Sequence, residues 1–196
     1  EKEKGINGLL LGDHCGSVYE GGKLRGFSLP LFNPSSHLTD DSVLAAAVCS
    51  ELLSGRHDFE TALFEWYKKY PNEEYSFAFW KWLEKDVGDS AGNGSATRAI
   101  PAGYAAKSEN EAILLAQKIS KITHSHHEGM CGAESVAWTI FMLRKGSSFE
   151  EIKHHAYENW EYYLDYDLEA VHKETEGAFT TCAWTTVPLA LFIGLK

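Results

Sequence analysis

Leu38-Thr39-Asp40-Asp41-Ser42 runs directly into the apolar stretch Val43-Leu44-Ala45-Ala46-Ala47-Val48. Leu44, Val48 and Leu52 recur every four residues and Gly55 follows, so the junction predicts a helix that opens at Thr39 and stops at Gly55. Its acidic start has two readings. Thr39 can cap the helix while Asp40 and Asp41 complement the positive end of its dipole. Alternatively, adjacent carboxylates flanked by hydroxyls supply the hard oxygen ligands that Mg²⁺ or a similar cation takes. Alone, the junction favours the capping reading; acidic, glycine-rich and histidine-rich segments elsewhere shift the balance towards one shared ligand.

The rest of the chain repeats the helical period. Ile6, Leu9, Leu10 and Asp13 predict a first helix, with Gly8, Gly12 and Gly16 available for close packing or backbone approach. Glu20 follows on a loop, and Pro30, Pro34 and residues 33–36 keep the chain irregular up to Thr39. Residues 58–69 and 75–85 predict two further helices; the second carries Phe77, Phe79, Trp80 and Trp82, aromatics that belong in a core more often than on a nucleobase. Ser108 with Glu111 and Ser148 with Glu151 form capping-box patterns ahead of helices, the latter over 149–164. A small-residue helix runs through Ala133, Val136, Ala137 and Ile140 to Gly146, and Thr181 to Pro188 leads into a last, largely buried helix. Strand-period alternation is almost absent, which predicts an all-α single domain over 1–196 with short connections.

Composition excludes several classes of function. A chain of 196 residues with 44% hydrophobic residues can fill one substantial core. Its net charge of -10 argues against general affinity for nucleic acid or an anionic membrane. The apolar run from Ala178 to Leu195 is interrupted by four threonines and Pro188, so a buried helix is expected rather than a membrane span. Cys15, Cys49, Cys131 and Cys182 are widely spaced without a C-x-x-C pair, as in reduced, cytoplasmic proteins.

Two segments supply ligand-type chemistry. In Asp89-Ser90-Ala91-Gly92-Asn93-Gly94-Ser95, a glycine-rich turn before a helix lets backbone N–H groups face a phosphate or ribose, with Ser90, Asn93 and Ser95 adding donors. Tight Asn-Gly turns of purely structural origin share this pattern. Thr123-His124-Ser125-His126-His127-Glu128-Gly129 invites a zinc reading, with Cys131 close by, but no second ligand pair stands at recognisable spacing. One histidine that hydrogen-bonds a sugar or phosphate, with the others exposed, fits better.

Taken in order, Gly8-x-x-x-Gly12-Asp13 with Tyr19-Glu20, Thr39-Asp40-Asp41-Ser42, Gly92-Asn93-Gly94-Ser95-Ala96-x-Arg98, Thr123-His124 with Glu128-Gly129 and Gly132-Ala133, and Val187-Pro188 resemble the ADP-ribosylglycohydrolases. The resemblance implies an orthogonal all-helical bundle with a two-metal, usually Mg²⁺, site that cleaves the bond between the distal ribose C1″ of ADP-ribose and an arginine, serine or small-molecule acceptor. It implies Thr39, Asp40 and Asp41 as metal ligands, and Asp41 or Glu20 as the carboxylate that moves a proton. Ser90, Gly92, Asn93, Gly94 and Ser95 would hold the phosphates and distal ribose, with His124 at the ligand; Ser90 stands where some members carry an acid, and the resemblance assigns Glu128 no particular contact. The segment from Gly21 to His37 is expected to set the acceptor.

The sequence departs from the family after the Val-Pro helix. The family completes its metal site there with an Asp-x-Asp-[Ser/Thr] segment, and this sequence reaches Lys196 without one. The expectations are a C-terminally truncated chain, a half completed by a partner chain, or a shortened relative that binds without catalysing. Without the last helices, Val187, Leu189, Leu191 and Phe192 are expected to be exposed and to drive self-association or partner binding.

Overall fold

The computed structural model describes residues 2–22, 31–84, 88–175 and 178–196. Thr39 takes an extended conformation and its hydroxyl accepts from the Asp41 N–H, which starts α2 (Asp40–Ser54); Gly55, at φ 72°, closes it by donating to the Glu51 carbonyl. α1 (Lys2–Gly16) and a 3₁₀ stretch (Ser17–Gly22) precede this helix. It is followed by α3 (Phe59–Lys69), α4 (Phe77–Leu83), α5 (Gly94–Ala105), α6 (Glu109–Ser120), α7 (His127–Lys145), α8 (Phe149–Trp160), α9 (Leu168–Thr175) and α10 (Ala183–Leu195). The described residues contain no strand, and the all-α expectation is met.

α5 occupies the centre, packed against α7, α2 and α6. Its small residues make this possible: Ala99 and Ala102 are fully buried, and a Cβ at Gly103 would lie 2.5 Å from the Ala137 carbonyl oxygen of α7. On one side Leu44, Val48, Phe59, Leu63, Phe79 and Ile119 fill the core between α2, α3, α4 and α6. On the other, Trp138, Ile152, Trp160, Val187 and Phe192 join α7, α8 and α10.

Several local expectations are corrected. Gly8, Gly12 and Gly16 make no close approach, since a Cβ on any of them would meet no described atom within 4 Å. The glycine of α1 that admits a neighbour is Gly5, where a Cβ would lie 2.0 Å from the Tyr104 ring. α8 ends at Trp160 rather than 164, because Glu161 turns left-handed at φ 56° and sends Tyr162 and Leu164 into the core. α4 covers only 77–83 of the predicted 75–85, of which Lys85 lies outside the described residues. Ser148 and Glu151 form the reciprocal capping box, whereas Glu111 accepts from the Lys107 N–H rather than from Ser108.

The expected exposed face of the last helix is also not found. Val187, Leu191 and Phe192 are 3%, 9% and 1% exposed, because α8 and the residues after it, Tyr162 to Tyr166, pack on α7 and cover them. What α10 exposes is the opposite side, where Ile193 is exposed and Leu189 half-buried, together with part of Trp184 at its first turn, which meets the Tyr162 ring edge-on. Among the described residues no helix is long and apolar enough to cross a membrane.

Candidate active-site cleft

The start of α2 is built from α1. The Asp13 carboxylate, near the end of that helix, accepts the Thr39 N–H at 2.8 Å and the Thr39 hydroxyl at 2.7 Å. It also accepts the Ser42 hydroxyl. Thr39 is fully buried behind the junction, with its oxygen engaged by Asp13 and the Asp41 N–H, while Asp40 and Asp41 face a cleft of about 910 Å³. The predicted ligand trio is therefore divided: two carboxylates in front and a hydroxyl that orients them behind.

Glu20 joins these carboxylates at the cleft wall, where the 3₁₀ stretch breaks at Glu20 and Gly21. Burial first, then the Asp41 and Glu20 carboxylates, pushes Asp40 up to about 8 against the pull of Arg98. Asp41 is raised to about 7 by burial, then by Asp13 and Glu20, with Arg98 and a Thr97 hydrogen bond opposing. Three acids on one cleft, with Asp13 behind them, create a demand for positive charge that Arg98 does not fully meet.

The facing wall is the glycine-rich turn and the start of α5. The Gly92 N–H donates to Ser90 Oγ at 3.1 Å, and the Asn93 N–H to the Thr181 carbonyl at 2.8 Å. Ala183 N–H bonds the Ala91 carbonyl and Asn93 Nδ2 donates to Thr186 Oγ1 at 3.0 Å, so residues 180–186 clamp the turn from outside. Glu128, without a role in the sequence reading, accepts from Cys182 Sγ at 3.3 Å and ties this clamp to α7. Ser90, Gly92, Asn93 and Gly94 line the cleft, whereas Ser95 is fully buried and donates to the Gly129 carbonyl. The N–H groups of Gly94 and Ser95, first in α5, have no acceptor within the helix and Asn93 does not cap them, which leaves an anion-attracting terminus.

His124 completes the floor. A Cβ at Gly94 would lie 3.8 Å from His124 Nε2 and 3.9 Å from Asp41 Oδ1, so the ring, the carboxylate and the turn share one space. His124 is 7% exposed, and burial followed by the Arg98 charge lowers its pKa to about 2, which keeps the ring neutral. Its backbone is held between the turn and α7: a Cβ at Gly129 would stand 2.6 Å from the Ser90 carbonyl oxygen and 3.0 Å from His124 Cβ. His126 and His127 are exposed, the first capping α7 and the second against Cys131 Sγ at 3.6 Å.

Sequence reasoning missed the parts that act from behind. Asp13 holds the start of α2 from behind, and Arg98, 1% exposed, sits under the cleft with its charge towards Asp41 and Asp40. For Arg98 the signal was a lone guanidinium on a helix otherwise made of small and apolar residues; Asp13, on a helix with several other charged residues, left no such signal. Of the aromatics, Phe79 is core, while Phe77 is 77% exposed at the cleft mouth beside Tyr75 and Phe179. Lys23 to Pro30, within the stretch expected to choose the acceptor, lie outside the described residues.

Among the described residues, no three Asp, Glu, His or Cys side chains converge at metal-ligand spacing. The donor set still suits Mg²⁺, which keeps several waters and binds through one or two carboxylates plus substrate oxygens. Comparison with curated proteins gave no match. The family model described as ADP-ribosylglycohydrolase matches residues 4–193, nearly the whole sequence and every element that builds the cleft, and the chain belongs to the ADP-ribosylglycohydrolase family.

Proposed function

We propose that this chain hydrolyses the glycosidic bond at C1″ of ADP-ribose, releasing it from a modified protein or small-molecule acceptor, with Mg²⁺ at Asp40 and Asp41. The observation that carries this reading is the convergence of Asp41, Gly94 and His124 Nε2 on one space beneath a cleft of about 910 Å³. That volume is in the range of cofactor-sized ligands.

The uncapped start of α5 receives negatively charged oxygens, and Gly92 and Gly94 let a ligand reach the backbone without meeting a side chain. Asp41, beside Gly94 and His124, is a carboxylate able to take a proton from water, and Glu20 is a second one able to deliver or accept it. Their negative oxygens also favour the positive charge that develops at the anomeric carbon. A bound divalent cation supplies the charge that offsets the crowded acids, holds ribose hydroxyls and acidifies water. Cys15, Cys49, Cys131 and Cys182 are free thiols, which supports the cytoplasm as the compartment.

The test is release of free ADP-ribose from arginine- and serine-ADP-ribosylated proteins in Mg²⁺ and in EDTA. The reading expects release from at least one acceptor in Mg²⁺ and none in EDTA. Folded protein that binds ADP-ribose yet releases none would make the chain a binding module rather than a hydrolase.

A further inference from the structure

His124 meets the core along one edge and the cleft along the other. Its Nδ1 lies 2.8 Å from Arg98 Nη2 and 2.7 Å from Thr123 Oγ1, and Arg98 Nη2 lies 2.6 Å from the same Thr123 oxygen. A guanidinium has no lone pair to offer, so Nη2 donates to both neighbours. Thr123 Oγ1, accepting from Arg98, keeps its own proton to direct at Nδ1. Both contacts require a lone pair on Nδ1, and the neutral ring must then carry its proton on Nε2.

We infer that Arg98 and Thr123 are positioning residues that lock His124 in the Nε2–H tautomer, so that the ring presents a hydrogen-bond donor between Gly92 and Gly94. A Cβ at those glycines would stand 3.6 and 3.8 Å from Nε2, which places the donor at the wall where the ligand turn runs. The group it takes is an oxygen with a free lone pair: a phosphate oxygen, or a ribose hydroxyl acting as acceptor. A hydroxyl that must donate finds no acceptor in this ring. Arg98 Nε also bonds the Gly94 carbonyl at 3.2 Å, tying the lock to the first turn of α5, while Nη1 is buried without a hydrogen-bond partner. The guanidinium is thus held by the histidine, the threonine and the helix start rather than by a direct carboxylate contact. The tautomer follows from the protein alone; only the ligand half of the inference rests on the proposed function.

The experiment is a long-range ¹H–¹⁵N correlation spectrum of ¹⁵N-histidine-labelled protein at neutral pH, with His124 assigned by its loss in His124→Asn. Wild type is expected to show His124 with a protonated Nε2 and a bare Nδ1, and no second form. In Arg98→Met/Thr123→Val both tautomers should appear at unchanged helical circular dichroism, and ADP-ribose should bind about tenfold more weakly. Thr123→Ser, which keeps the hydroxyl, should retain the single form. A protonated Nδ1 in wild type overturns the lock, and this result stands even if the double variant does not fold. A double variant that keeps the pure Nε2–H form overturns the assignment to Arg98 and Thr123. ADP-ribose added to wild type should shift Nε2; binding that leaves Nε2 unmoved overturns the donor role. A complete lack of binding would instead refute the proposed function and the ligand half with it, while the tautomer spectrum still decides the lock.

Discussion

Replacing Asp40 by Asn should stabilise the cation-free protein, and only above acidic pH. Folding raises Asp40 from its ordinary 3.8 to about 8, so the folded state holds a proton that the unfolded state releases. Stability from that proton is fully present below about pH 4 and is lost as pH rises through the folded value. The gap, at about 1.4 kcal/mol per pH unit, sets a ceiling of about 6 kcal/mol of strain at pH 8 and above. Water and salt in the open cleft reduce this to about 2 kcal/mol. Asn keeps the shape and removes the charge, so thermal melts in EDTA at pH 8 should show Asp40→Asn about 4–8 °C above the parent. At pH 4 the two should melt together. Mg²⁺ should raise the parent at pH 8 and leave the variant nearly unmoved. A variant equal to or less stable than the parent at pH 8 in EDTA, or a difference independent of pH, would refute the picture of uncompensated acids.

Three further substitutions test packing and hydrogen bonding. Gly103→Ala should cost about 3 kcal/mol in denaturant unfolding, because the new methyl meets the Ala137 carbonyl oxygen at 2.5 Å and α5 cannot move away from α7. Gly8→Ala, where a Cβ meets no described atom within 4 Å, should be neutral or stabilising by about 0.5–1 kcal/mol. Asp13→Ala should cost about 3–4 kcal/mol by stranding the Thr39 N–H and the Thr39 and Ser42 hydroxyls, and its ADP-ribose affinity should fall as the start of α2 loosens. An Asp13→Ala protein with parental melting and binding would contradict that role.

What could be read from the sequence was whatever local chemistry controls. Thr39 and Gly55 bound α2 as their residue types demand, and the Ser148–Glu151 box starts α8. The residue pattern asked only for one ligand histidine with the others exposed, and the family resemblance pointed to His124; the structure puts His124 on the cleft and leaves His126 and His127 exposed. What could not be read depends on contacts distant along the chain. Asp13 bonds Thr39 from 26 residues away and Asn93 bonds Thr186 from 93 away, and neither pairing leaves a periodic trace. The end of α8 was missed because Tyr162 and Leu164 are apolar enough to continue a helix, and only the left-handed Glu161 diverts them over α10. Burial of Val187 and Phe192 follows from that diversion.

The most direct test of the account is ADP-ribose release by wild type and Asp41→Asn in the same Mg²⁺ buffer, with ADP-ribose binding measured in parallel. Loss of a carboxylate that moves the proton should lower the release rate by about 10²-fold or more while binding stays within about tenfold of wild type. Asp41→Asn releasing ADP-ribose at the wild-type rate would contradict the cleft as the site of chemistry.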